Sequence, residues 1–197
     1  MAQLQFKYGT MAAGKTLELL KVADSYKQTN KDVLILTSAL DTRSGMNKVK
    51  SRVGLEAKAV SINKKDNIVK VIISNLIINT VGQTVWPACI LIDEAEFLSR
   101  QQVLDLATLV DTYNIPILCF GLKTDYQGQL FDGSKALLEL ADKIEEIKSV
   151  CYWCDHKATM NLRRLAGKPI YKGDQILIGD EEYISVCRYH YFNPMLS

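Results

Sequence analysis

The chain lacks what a membrane or a polyelectrolyte partner would require. Its longest apolar runs, VKVIISNLII and ACILI, are too short and too interrupted to span a bilayer. No leader-like pairing of a basic segment with an apolar one opens it, since MAQLQFKYGT runs straight into a glycine loop. Charge of one sign is lacking too: 24 Lys and Arg face 22 Asp and Glu, a formal +2. No basic stripe of the kind that grips a nucleic-acid polymer stands out. Internal repeats and low-complexity tracts are absent from the 197 residues. The expectation is a soluble cytoplasmic protein with neither a membrane nor a nucleic-acid polymer as partner. Cysteines number only five, and with no export signal disulfides are not expected. Cys89 and Cys119 lie inside apolar strand-like runs and read as small core residues.

What is present suits a globular core: 48% hydrophobic and 23% charged residues, enough for one domain with a small appendage. LQFKY alternates as a strand, and GKTLELLKVADSYKQ follows at helical spacing. DVLILTS and ACILID are continuous apolar runs, typical of strands buried on both faces. Residues 39–54 are polar and read as a mobile loop; KAVSI is a weak strand and NIVKVIISNLI a helix. Ser99 caps RQQVLDLATLVDTYN, Pro116 opens the strand PILCFG, and SKALLELAD is a short helix. Strand and helix alternate to about residue 150, which predicts an α/β domain, residues 1–150, built on a parallel sheet flanked by helices. Beyond it, GKPIYKG, QILIG and EYISVCRY are short alternating pieces between turn residues. They predict a small β unit over residues 151–197.

GTMAAGKT, Gly9 to Thr16, matches G-x-x-x-x-G-K-[ST] with a strand before it and a helix after it. Gly9 and Gly14 free the backbone between them, Thr10 to Ala13, to turn successive N–H groups toward one anion. Lys15 reaches the outer phosphates of a nucleotide and Thr16 can hold Mg²⁺. CILIDEAEF places Asp93 at the end of an apolar strand, where a carboxylate holds the same Mg²⁺ directly or through water. The neighbouring Glu94 can accept a proton from an attacking oxygen, of water or of an acceptor alcohol. Glu96 reads equally well as the start of a solvated helix. These motifs predict a nucleoside-triphosphatase core and leave hydrolysis and transfer both open.

Cys151 and Cys154 form a C-x-x-C pair, and Cys187 to His190 repeats the spacing with histidine last. Three thiolates and an imidazole suit a closed tetrahedral Zn²⁺ site, which is structural because no coordination position is left open. The 32 residues between Cys154 and Cys187 must loop out from such a metal. His156 could compete as fourth ligand, but two residues beyond Cys154 the chain makes simultaneous binding awkward.

In this combination the chain resembles the zinc-containing, RecA-like type of thymidine kinase. The ordered segments that carry the resemblance are GTMAAGKT, ALDTRSG, DEAEF, GLKTDYQGQLF, and CYWC with EYISVCRYHY. The resemblance implies a P-loop fold with a lasso between the zinc ligands. It also implies transfer of the ATP γ-phosphoryl group to the 5′-hydroxyl of thymidine, and to deoxyuridine as second substrate, in nucleoside salvage. Glu94 matches the family's general base, Arg43 a phosphate-side catalytic residue, and Asp41 its substrate-binding neighbour near the metal. Met11, Phe97, Leu122, Tyr126 and Phe131 match walls of the nucleoside pocket, and Tyr183 a tyrosine at the deoxyribose. Gln175, Ile176, Leu177, Ile178 and Gly179 match the lasso segment whose backbone reads the base. Asn161 stands where members often carry threonine. A homotetramer inhibited by thymidine triphosphate is implied as well. Thr10, Ala12 and Ala13 depart from the commoner Pro, Phe and Ser, Glu96 replaces Gln, and GLKTDYQG lacks the usual Asp-Gly pair. A helicase-like or zinc-ribbon ATPase is the alternative, suggested by DEAE.

Overall fold

The computed structural model describes residues 1–40, 47–78, 82–175 and 182–195. In chain order the elements are β1 (Leu4–Tyr8), α1 (Lys15–Gln28), β2 (Val33–Ser38), β3 (Lys48–Lys50), β4 (Glu56–Lys58), β5 (Val60–Ile62) and α2 (Ile68–Ser74). There follow β6 (Ile77–Ile78), β7 (Thr84–Val85), β8 (Cys89–Ile92), a 3-10 turn (Ala95–Phe97), α3 (Arg100–Tyr113), β9 (Ile117–Gly121), α4 (Asp132–Leu140) and β10 (Lys143–Glu146). The last elements are β11 (Met160–Leu165), β12 (Lys168–Ile170), β13 (Glu182–Val186) and α5 (Arg188–Phe192).

Six strands form one parallel sheet in the order β10-β1-β9-β8-β2-β5. The apolar runs explain why β8 and β9 lie at its centre: every residue of both is buried. In β8 alternate side chains serve opposite faces. Ile90 and Ile92 join α2, α3 and α4 on one side, while Cys89 and Leu91 join Leu19 and Leu20 of α1 on the other. The inward face of α3, Val103, Leu106, Leu109 and Val110, contributes about 2 kcal/mol per side chain by burial. Ser99 caps its start as expected, and the structure completes a capping box: Ser99 Oγ accepts from the Gln102 N–H and Gln102 Oε1 from the Ser99 N–H.

A three-stranded antiparallel sheet, β12-β11-β13, follows in the chain, packed on its own small cluster of Leu162, Ile184, Val186, Cys187 and Tyr191. Some sequence expectations need correction. The stretch read as a loop over 39–54 contains β3, which pairs with β4 and buries Val49 against α1's face of the sheet. EYISVCRY does not continue as a strand: β13 stops at Val186 and Arg188 opens α5, which carries His190 inward. The helix read over NIVKVIISNLI ends at Ser74, and Ile77 and Ile78 pair with β7. MNLRRL, given no element from sequence, is the middle strand of the C-terminal sheet. Among the described residues no helix is long and apolar enough to cross a membrane.

Candidate active site

Parallel strands end on one side, so the segments leaving β1, β2, β8 and β9 converge at their carboxyl ends, the usual place for a ligand in such a sheet. A cleft of about 590 Å³ opens there, lined by Met11 to Leu17, residues 48–53, and Asp93, Glu94, Glu96 and Leu122. The loop after β1 is shaped by Gly14 at φ 87°, the N-cap of α1, with no side chain capping that end. A glycine takes this left-handed turn at little cost, and the N–H groups of the first helical turn keep their positive end for an anion. Lys15 Nζ donates to the Thr10 carbonyl at 2.8 Å. Burial lowers the Lys15 pKa, opposed by attraction to Glu96, Asp93 and Glu94.

Asp93 sits at the end of β8 as expected. Its Oδ2 accepts from Thr16 Oγ1 at 2.9 Å, its Oδ1 from the Glu94 N–H at 3.1 Å, and its own N–H donates to the Leu36 carbonyl. Glu94 adopts φ 53° and ψ 41°, a left-handed conformation uncommon for a residue with a long side chain. Strain of this kind costs on the order of 1–3 kcal/mol and concentrates at functional positions. Here the bond to Asp93 and the 3-10 turn that follows hold it. Thr16, Asp93 and Glu94 therefore face one cleft beside Lys15. A hydroxyl and a carboxylate at hydrogen-bond distance make a donor pair that fits Mg²⁺, a cation that takes oxygen ligands.

Glu96 is not on a solvated helix. It is 4% exposed, its carboxylate packed against Gly121 at the end of β9, and its Oε2 has no hydrogen-bond partner among the described residues. Burial raises its pKa to about 7 in spite of the Lys15 charge and backbone N–H groups of Glu96 and Leu122. Phe97 and Phe131 meet edge to face at 5.7 Å, and Tyr126 and Tyr183 at 6.4 Å. Tyr126 and Phe131 are buried, and Arg163 lies 4.9 Å over the Tyr126 ring. Leu122 reaches the cleft, whereas Gly9, Thr10 and Asn161 border a small separate hollow and Phe97 another. Asp41, Arg43, Ile176, Leu177, Ile178 and Gly179 lie outside the described residues. The segment leading toward the last four is tethered: Tyr126 Oη donates to the Asp174 carbonyl, Gln127 Nε2 to the Gly173 carbonyl, and Gln175 Nε2 to Asp125 Oδ2. Lys48, Ser51 and Arg52 also line the cleft, where the sequence predicts only a polar loop. The signal was there in KVKSR, where Val49 alternates with basic residues at strand period.

Cys151, Cys154, Cys187 and His190 bring their ligand atoms within 4.8 Å of one another and could hold a metal ion. His190 Nδ1 is 3.4 Å from each of the three sulfurs. Burial would raise the Cys151 thiol, but N–H groups of Cys187 and Trp153, with His190, outweigh it and bring the pKa down to about 6. A thiol so readily ionised suits metal binding. His156 approaches Cys154 alone, at 3.4 Å, and lies outside the group of four. Cys89 and Cys119 are buried in the core, where burial pushes both thiols up, Cys89 to about 12.

A family model described as thymidine kinase matches residues 2–191. The chain is 54% identical over 195 residues to the thymidine kinase of Streptococcus pyogenes, covering 98% of this chain and 99% of that protein. It is 51% identical to the thymidine kinase of Lactococcus lactis over the same shares. Identity to that of Lactobacillus acidophilus is 50%, covering 98% of each.

Proposed function

The chain belongs to the thymidine kinase family, and from that premise we propose how its residues divide the work of phosphorylating thymidine. ATP lies with its phosphates in the loop Gly9–Thr16, and Lys15 together with Arg43 offsets charge on the transferring group. Thr16 and Asp93 would hold Mg²⁺, which when bound screens the phosphate oxygens. Glu94 takes the proton of the nucleoside 5′-hydroxyl as that oxygen forms its bond to the γ-phosphorus and the bridging P–O bond breaks, releasing ADP. The observation that carries this assignment is the shared cleft in which Glu94 adjoins Asp93 at the end of β8, across from Lys15 and Thr16.

Met11, Phe97, Leu122, Tyr126, Phe131 and Tyr183 would enclose the nucleoside, with Asp41 and Asn161 beside it and residues 175–179 over the base. An aromatic slot grips a flat base and keeps water from the phosphoryl group. Residues 151–197 form a separate unit held by Zn²⁺ on Cys151, Cys154, Cys187 and His190, a thiolate-rich set that zinc prefers. Its apolar cluster is small, and a unit of that size needs a staple to stay folded. Deoxyuridine as second substrate, a role in salvage, inhibition by thymidine triphosphate and a homotetramer are carried by the family resemblance.

Glu94→Gln tests the assignment. It keeps the shape of the side chain and should bind ATP and thymidine normally while kcat falls by about 10²- to 10⁴-fold, the usual worth of a general base. Steady-state kinetics measure this, and an unchanged kcat removes Glu94 as base. In the same assay ATP consumption should depend strictly on thymidine. Stimulation by polynucleotide instead would favour the helicase-like alternative.

A further inference from the structure

The phosphate loop does not stand alone on the α/β sheet. The Met11 N–H donates to Asn161 Oδ1 at 2.8 Å, and the Met11 carbonyl accepts from Ser185 Oγ. Asn161 and Ser185 face each other in register across β11 and β13, so one cross-strand pair of the C-terminal sheet grips both backbone groups of a single loop residue. The grip is itself braced. Asn161 Nδ2 donates to the Thr124 carbonyl at 3.0 Å, which fixes the amide with Oδ1 toward Met11. The Ser185 carbonyl accepts from the Tyr152 N–H at 2.9 Å, between Cys151 and Cys154. A third contact joins Thr10 Oγ1 and Ser149 Oγ at 2.6 Å, and the Ser149 carbonyl in turn accepts from the Ala158 N–H. Thr10 is one of the positions where this chain departs from the family pattern, and the proline common there has no hydroxyl to make that bond.

We propose that Ser149, Asn161 and Ser185 are positioning residues for ATP: they hold the Thr10–Met11 stretch from outside, so the shape of the phosphate loop depends on the C-terminal sheet. A loop binds an anion well only when its N–H groups are aimed before the anion arrives, since ordering them on binding subtracts from affinity. Met11 has both backbone groups fixed and lines the cleft, so the same clamp influences phosphate and nucleoside positions together. The C-terminal sheet thereby supports the nucleotide end of the site as well as the lasso.

The inference rests on reading the loop as the ATP site, and the experiment separates the two. A non-hydrolysable ATP analogue with Mg²⁺ is titrated calorimetrically into wild type, Ser185→Ala, Ser185→Thr and Ser149→Ala, with bound zinc per chain measured for each. Losing this part-buried hydrogen bond should weaken analogue binding about fivefold in Ser185→Ala. Ser185→Thr, which keeps the hydroxyl, should return to within about twofold of wild type. Ser149→Ala, outside both the loop and the metal ligands, should weaken binding in the same direction with zinc content unchanged. It carries the test if Ser185→Ala folds poorly. Analogue binding unchanged in both alanine variants overturns the proposal, as does a loss in Ser185→Ala that threonine does not restore. A wild-type chain that binds no analogue would instead sink the reading of the loop, and this inference with it.

Discussion

Glu94 and Glu96 are two residues apart and chemically alike, yet their surroundings give them different work. Glu94 occupies a left-handed turn at the cleft, and Glu96 is buried behind Lys15 with a raised pKa. A carboxyl whose folded pKa, about 7, stands above its ordinary 4.5 ionises first in the unfolded chain as pH rises. The stability it contributes is therefore complete below about pH 4.5, declines up to about pH 7, and changes no further above that. Glu96→Gln cannot ionise. The stability of wild type relative to Glu96→Gln should fall across that window and level off above it. Urea unfolding at a series of pH values without divalent metal measures this, and a flat difference would show that Glu96 keeps an ordinary pKa. The sequence revealed Asp93 and Glu94 because the end of an apolar strand has a readable pattern. It could not reveal the burial of Glu96, whose carboxylate packs against Gly121 and Leu122 at the end of β9.

At the scale of elements, the strand end that carries Asp93 and Glu94 is held by what packs against the 3-10 turn after it. The turn lies between β9 and the start of α4, where Gly133 touches it backbone to backbone. A Cβ built there would stand 2.5 Å from the Ala95 carbonyl oxygen and 2.8 Å from those of Glu96 and Leu98. None of these is the end of a flexible side chain, so either α4 or the turn must move. Gly133→Ala should lose about 1–3 kcal/mol of stability by overpacking and lower kcat as well, because the displaced turn carries Glu94. Thermal melts and single-turnover kinetics check the two effects, and an intact melting temperature would mean that α4 yields freely. The elements themselves were largely legible. Buried runs such as CILI and capped periodic segments such as RQQVLDLATLVDTY announce strand and helix from local chemistry. Less legible were β3 and α5, which are short, and β11, whose MNLRRL mixes polar and apolar residues without a clear period. Their form comes from partners distant in the chain: β4 for β3, the flanking strands for β11, and the cysteine cluster for α5.

For the whole molecule, the C-terminal sheet meets the loop after β1 at Met11. Removing the metal from the Cys151–His190 cluster should unfold the C-terminal sheet first, since its own apolar cluster is small. The expected record is a loss of strand signal in circular dichroism, with the KM for thymidine and for ATP both rising and the α/β part still folded. A chelated chain that retains both KM values would deny the cluster its supporting role. The sequence by itself determined the glycine loop before α1, the carboxylate pair after β8, the four residues that could hold a metal ion and the alternation that builds a parallel sheet. Each is written in neighbouring residues, where spacing alone carries the chemistry. Only the tertiary structure decided that Asn161 and Ser185 close on Met11 and that β3 walls the cleft beside Lys15. Those contacts join residues far apart in the chain, and no local pattern encodes which polar side chain a folded loop will find.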